Sequence, residues 1–289
     1  MLKTLKSLLW GVIQPLMQVV GRAYVPGPEL EDALRIARRE AGEGRASTIG
    51  YFAEDEDLPA AVAEISLRAL QAVQSLPLPS YVSLKVPPMH YDPVLLQPLL
   101  ACAKAGGVRA HFDSHGIDMA EPTLRCVRQA VDAGCQAGLT IPGCWARSAA
   151  DARLVTGWGV RVRVVKGEWP DPDDPRRDGT AGFLEVIDAL CGSSQEVAVA
   201  THDPITARES IRRLQAAGTR CELELLFGMP MRSLLALAAE TRVAVRLYIP
   251  FGTAWWPYSL GKALQRPQIF WWLLVDALLG VRQWWQRRG

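Results

Sequence analysis

Short apolar runs rich in β-branched residues recur along the chain at 47–52, 80–86, 108–113, 137–142, 160–166, 196–201, 220–226 and 243–249. Such side chains fit a pleated, buried backbone, so each run predicts a strand. Between them the apolar positions change to helical spacing, at 58–74, 92–105, 121–133, 148–156, 182–191, 204–217 and 231–240, with a further helix at 29–41. Gly or Pro punctuates most joins, as at Gly106-Gly107, Gly134 and Gly218, which is where a chain must turn. Eight strands alternating with helices predict the α/β class and, within it, a (β/α)8 TIM-like barrel. The longest gap, 167–181, is rich in charge and proline and predicts a surface loop after the fifth strand.

The two ends break this rhythm. Residues 2–21 are apolar at helical spacing, flanked by Lys3, Lys6 and Arg22 and interrupted by Pro15. That is too broken for a membrane span, and no small-residue cleavage site marks a secretory signal. Two readings stand: a helix that packs on or plugs the barrel, and an amphipathic membrane contact. At the other end lie six of the ten tryptophans, at 255, 256, 271, 272, 284 and 285, with Arg282, Arg287 and Arg288 beside the last pairs. A closing helix packed on the barrel is expected, although tryptophan beside arginine also suits a bilayer interface. The chain therefore divides into an N-terminal apolar helical segment (1–28), the barrel (29–268) and a C-terminal hydrophobic helix (269–289).

Composition narrows the functional classes. Of 289 residues, 49% are hydrophobic and 21% charged, with a net charge of +2; no broad basic field argues for nucleic acid. Six cysteines without a C-x-x-C pair read as buried reduced thiols of a cytoplasmic protein. Four histidines limit metal chemistry, and a hydrolase metal held by His111, Asp113, His115 and His202 would be poor in ligands.

In a barrel, chemistry sits at the C-terminal strand ends. Polar residues recur there: Lys85 on the second strand, Asp113 beside His111 and His115 on the third, Arg163 and Lys166 on the fifth, Thr201-His202-Asp203 on the sixth, Glu222 and Glu224 on the seventh, Arg246 and Tyr248 on the eighth. Asp113 and Asp203 could also cap the helices that follow, and His202 could be a hydrogen-bonded core histidine. The two glutamates share a face and are placed to pair with Arg161 or Arg246 inside the barrel. The several cations together imply an anionic or electron-rich ligand.

The fifth-strand run VRVRVVKGEW resembles the V-R-L-V-K-G-A-Y segment of the flavin-dependent proline dehydrogenases. YVSLKV, VAVATHDP, CELELLFGM and RLYIPFGTAWWPYSLGKALQRP are similar, in order, to further segments of that family, and ASTIGYFAED to its first strand, so the resemblance spans about residues 30–268. It implies an FAD-holding barrel. Arg163 would lie near flavin N5, Lys166 and Gly167 along the phosphate and ribose, and Thr201 and His202 against the cofactor. Lys85 and Asp113 would form the charged pair at the substrate, with Tyr258 packed on the substrate ring and Lys262 near its carboxylate. The implied reaction is hydride transfer from the carbon beside a ring nitrogen to FAD, with electrons passed to a membrane quinone. That would place a cytoplasmic protein in peripheral contact with the inner face of a membrane.

The departures gather where the substrate would sit. The family's carboxylate-clamping arginine pair reads Gly261-Lys262, and its nearby glutamate reads Gln265. Lysine is a point charge where arginine offers a fork. Pro142 stands for a glutamine, Trp169 for a tyrosine, Glu168 for an alanine, and Ser114-His115 for Met-Glu. An altered substrate, or a flavin-binding member without turnover, is the alternative these changes raise.

Overall fold

The computed structural model describes residues 26–254. Within them eight parallel strands close into a barrel in the order β1 to β8, with β1 pairing both β2 and β8. They are β1 (Ala46–Tyr51), β2 (Tyr81–Leu84), β3 (Ala110–Phe112), β4 (Ala137–Pro142), β5 (Arg161–Val165), β6 (Val197–Ala200), β7 (Cys221–Leu226) and β8 (Ala244–Phe251). Helix α1 (Leu30–Gly42) precedes β1 and packs on β1 and β8. Seven crossover helices follow: α2 (Pro59–Val73), α3 (Pro93–Ala105), α4 (Ala120–Asp132), α5 (Ser148–Gly157), α6 (Gly179–Leu190), α7 (Pro204–Ala216) and α8 (Arg232–Thr241). Every expected strand and crossover helix is present. The terminal segments assigned to 1–28 and 269–289 lie outside the described residues, except for 26–28.

The core lies between strands and helices. Outward strand residues such as Val82, Leu139, Val164, Val199 and Leu247 meet Leu70, Val127, Val155, Ile187 and Leu237 on the helices, all buried. Each such side chain contributes about 1.5–3 kcal/mol by leaving water. Asp92, Asp178 and Asp203 cap α3, α6 and α7, accepting the N–H of Val94, Thr180 and Ile205 at 2.8, 2.8 and 3.2 Å. The capping role weighed for Asp203 thus holds, whereas Asp113 points into the barrel. All six cysteines are free, but only Cys126, Cys135 and Cys144 are buried; Cys102, Cys191 and Cys221 are half-buried. No helix among the described residues is long and apolar enough to cross a membrane.

Candidate active site

Strand alternation sends Val162 and Val164 of β5 outward into the core and Arg161 and Arg163 into the barrel, where both are buried. Buried charge needs partners, and facing strands supply them in two tiers. In the lower tier Glu222 of β7 pairs with Arg161 and accepts Arg246 Nε at 2.6 Å. The Tyr81 hydroxyl accepts Arg161 Nη1 at 2.6 Å and donates to Glu224 at 3.1 Å. The pairing expected with Arg161 or Arg246 is realised by Glu222 alone; Glu224, two residues further along β7, reaches the upper tier and pairs with Arg163 instead.

That upper tier is centred on Arg163. Its Nη1 donates to Glu224 at 2.8 Å, its Nε to Thr140 at 3.0 Å, and its Nη2 to Ser83 at 3.1 Å and to Asp113. Two carboxylates raise the guanidinium pKa further despite the burial that opposes it, so Arg163 is a permanent cation. Thr140 donates its hydroxyl proton to Asp113 at 3.1 Å and also contacts His111 Nε2 at 2.9 Å. Since the threonine proton is committed, His111 must donate through Nε2. Its Nδ1 is then unprotonated and has no partner among the described residues. Burial, with the Arg163 cation behind it, holds the ring neutral, well below the usual histidine pKa.

Lys85 and Asp113 meet as the sequence suggested: Nζ lies 3.4 Å from Asp113 Oδ2. Nζ also donates to the Tyr248 hydroxyl at 3.1 Å and sits 3.9 Å from the centre of the Phe52 ring. Tyr248 in turn donates to Asp113 at 3.1 Å, and its ring lies over Arg163 at 5.0 Å. Burial pushes the Asp113 carboxyl upward, but Arg163 and Lys85 outweigh it and hold the pKa below the ordinary carboxylate range. Asp113 is therefore an anchor and a counter-charge and has no proton to give. Burial lowers the Lys85 pKa, with Asp113 opposing. Tyr248 is raised well above its usual value by burial and by Asp113, and stays a phenol.

Several of these residues escaped sequence reasoning as members of the site. Ser83 and Phe52 stand in segments that resemble the family but were given no role, and Thr140 lies in none of those segments. Tyr248 stood at a strand end without an assigned role. One signal for it was present in Gly50, an isolated glycine inside β1. A Cβ there would lie 2.1 Å from the Tyr248 hydroxyl, so the glycine marks a close approach.

The proposed cofactor residues fall around this centre. Lys166 is exposed at the end of β5, near the cap carboxylates Asp178 and Asp203 of α6 and α7, whose charge it stabilises. Gly167 has φ +97°, and a Cβ there would meet Cys144 Sγ at 2.2 Å; its own neighbours already require glycine. Thr201 Oγ1 accepts the Asp203 N–H at 3.1 Å. His202 accepts the Leu226 N–H through Nε2 at 2.9 Å and faces the Pro230 carbonyl through Nδ1 at 3.2 Å. Both its nitrogens are committed, which leaves only the ring face and edge for a ligand. Trp169 is 43% exposed and stacks on His115 at 6.0 Å. Tyr258, Gly261, Lys262 and Gln265 lie outside the described residues. Among the described residues no three of His, Cys, Asp and Glu converge as a metal site.

No protein-family model matches the chain. It is 28% identical over 264 residues to "Proline dehydrogenase 1" of Bacillus subtilis, covering 85% of this chain and 86% of that protein. The chain is a homologue of the proline dehydrogenases. A proline dehydrogenase of Deinococcus radiodurans is 22% identical over 266 residues, again with 85% and 86% covered. Among solved structures, proline utilization A (PutA) from Bdellovibrio bacteriovorus superposes with a TM-score of 0.72 at 15% identity over 85% of this chain. PutA from Corynebacterium freiburgense gives 0.70 at 16% identity over 90%. The chain spans about a third of the length of these two, 32% and 33%, and at such identity the likeness bears on the barrel fold.

Proposed function

We propose that the protein oxidises proline or a related cyclic secondary amine at the carbon beside nitrogen. The observation that carries this reading is the closed Lys85–Asp113–Arg163–Tyr248 constellation at the C-terminal strand ends, in a chain homologous to proline dehydrogenases over most of its length.

The donor set suits FAD. Arg163 is a fixed cation with one Nη1 proton uncommitted among the described residues, and a cation is what an electron-rich ring gaining negative charge requires. Lys166 stands exposed beside the N-termini of α6 and α7, a setting that favours phosphate. The Thr201 hydroxyl retains its proton for a cofactor oxygen. Gly167 and His202 would add backbone and ring contacts. Bound FAD would supply the hydride acceptor.

The chain's own residues hold the substrate. Asp113 stays ionised and fixes both Lys85 and Tyr248, so the Lys85 ammonium presents charge at one place. Phe52 and Tyr248 offer aromatic surface beside it, and we assign Tyr258 and Lys262 to the same pocket. A quinone is the proposed onward acceptor. The tryptophan and arginine content of 269–289 supports peripheral contact of a cytoplasmic protein with the inner face of a membrane. Gly261-Lys262, without an arginine fork, favours a second reading: a flavin-binding relative whose substrate is not proline, or which does not turn over.

The test is anaerobic titration of FAD-loaded protein with L-proline and with a panel of cyclic and N-alkyl amines. Bleaching of the visible flavin absorbance by proline or a cyclic amine is the expected result. Flavin that binds but stays oxidised across the panel selects the second reading. Protein that takes up no FAD overturns both.

A further inference from the structure

Among the described residues, the end of the barrel opposite Asp113 and Lys85 is open. The N-terminal ends of β2, β3, β5 and β8 border a cleft of about 410 Å³ lined by Arg109, Arg161, Arg246, Glu196 and the backbone around Pro79 and Gly107. In a barrel this face ordinarily contributes stability alone, and three guanidiniums around a cleft are an unusual way to achieve that.

Their partners do not balance them. Arg246 gives Nε to Glu222 and Nη1 to the carbonyls of Ser47 and Pro79 at 3.0 and 2.9 Å. Arg161 gives Nη2 to the same Glu222 and Nη1 to Tyr81. Among the described residues its buried Nε makes no hydrogen bond, and the carboxylate oxygen facing it is that of Glu196 at 3.5 Å. Arg109 reaches only the Ala137 carbonyl, at 3.3 Å, and no carboxylate lies within salt-bridge distance of it among the described residues. Glu222 is thus shared, and Glu196, whose side chain is 36% exposed, is left facing two guanidiniums. Burial, with the Arg161 and Arg246 cations behind it, disfavours the charge on Arg109. Residues 1–25 bring Lys3, Lys6 and Arg22 and no carboxylate, so that part of the chain adds no neutralising charge.

We propose that this cleft binds a small molecule bearing an oxyanion, a phosphate or a carboxylate group, held between Arg109 and Arg161 Nε. The guanidinium fork matches either group. The cleft volume falls within the range of small-molecule sites, so there is room for more than the anion itself. The site is separate from the proposed flavin chemistry. It would act on the fold by mass action, since an anion bound only by the native barrel stabilises it.

The test is isothermal titration of the full chain with inorganic phosphate and, separately, with succinate, each against chloride at matched ionic strength. Saturable binding of either anion is expected, and the anion that binds identifies the group recognised. Arg109→Gln should weaken it roughly ten- to a hundredfold, the loss expected for one charge-assisted fork. Glu196→Gln, which removes the competing carboxylate, should tighten it. Absence of binding beyond the chloride control for both anions overturns the proposal, as does unchanged affinity in Arg109→Gln. If Arg109→Gln fails to fold, Glu196→Gln decides: affinity that is unchanged or weaker overturns the proposal.

Discussion

His115 shows what one side chain costs in this site. It stacks on Trp169, and its Nδ1 is buried without a partner among the described residues. Burial first, and the Lys85 cation second, lower its pKa to about 4 against the opposing pull of Asp113. The unfolded chain takes up this proton near pH ~6.5, whereas the folded protein resists it down to about 4. Between those values the unfolded state binds more protons, so stability rises with pH through that window and is lost as pH falls. Replacing His115 by Gln should remove ~1–3 kcal/mol of this pH dependence. Urea unfolding at several pH values should show the slope between about pH 4 and 6.5 shrinking by roughly one proton. It should not vanish, because His111 and His202 are also held neutral by burial. An identical slope in wild type and variant would mean that His115 titrates normally.

Among the elements, the loop between β5 and α6 is tied down at few points. Asp171 is buried and accepts the N–H groups of Ala146 and Asp173 at 2.9 and 3.0 Å. The Trp169 carbonyl accepts Trp145 Nε1 at 2.9 Å. These contacts dock the loop on the one that follows β4. Asp171→Ala leaves two backbone donors without their acceptor, at about 1–3 kcal/mol of local stability. Trypsin should then cut at Arg176-Arg177 faster than in wild type while the barrel still melts cooperatively; equal cleavage rates would show that the docking lies elsewhere. The elements themselves were legible because their signals are local. Apolar β-branched runs mark the strands, and glycines with φ between +62° and +85° end six helices, at Gly44, Gly107, Gly134, Gly159, Gly192 and Gly218, where an L side chain would be strained. The site was less legible because its bonds are not local: Thr140 and Ser83 meet Arg163 only once the barrel has closed. Lys85 with Asp113 was readable through resemblance. Tyr248 became a partner of both only when β8 was laid beside Gly50 of β1.

The described barrel keeps an apolar layer between its strands and helices and a cluster of charges within the strands. The interior holds Arg161, Arg163, Arg246 and Lys85 against Asp113, Glu222 and Glu224, so Asp113 and Glu222 each serve two cations while Glu224 serves Arg163. A buried pair adds little net stability when whole, yet breaking it from one side costs about 3–5 kcal/mol, because a charge is left without compensation. Glu222 is the sharpest case, since it neutralises Arg161 and Arg246 together. Glu222→Gln should therefore lower unfolding stability by at least that amount, a large share of the ~5–15 kcal/mol typical of a domain. Replacing Arg161, Glu222 and Arg246 together by Met, Leu and Met removes the charges as a set and should cost much less. Urea midpoints of the two variants test the order.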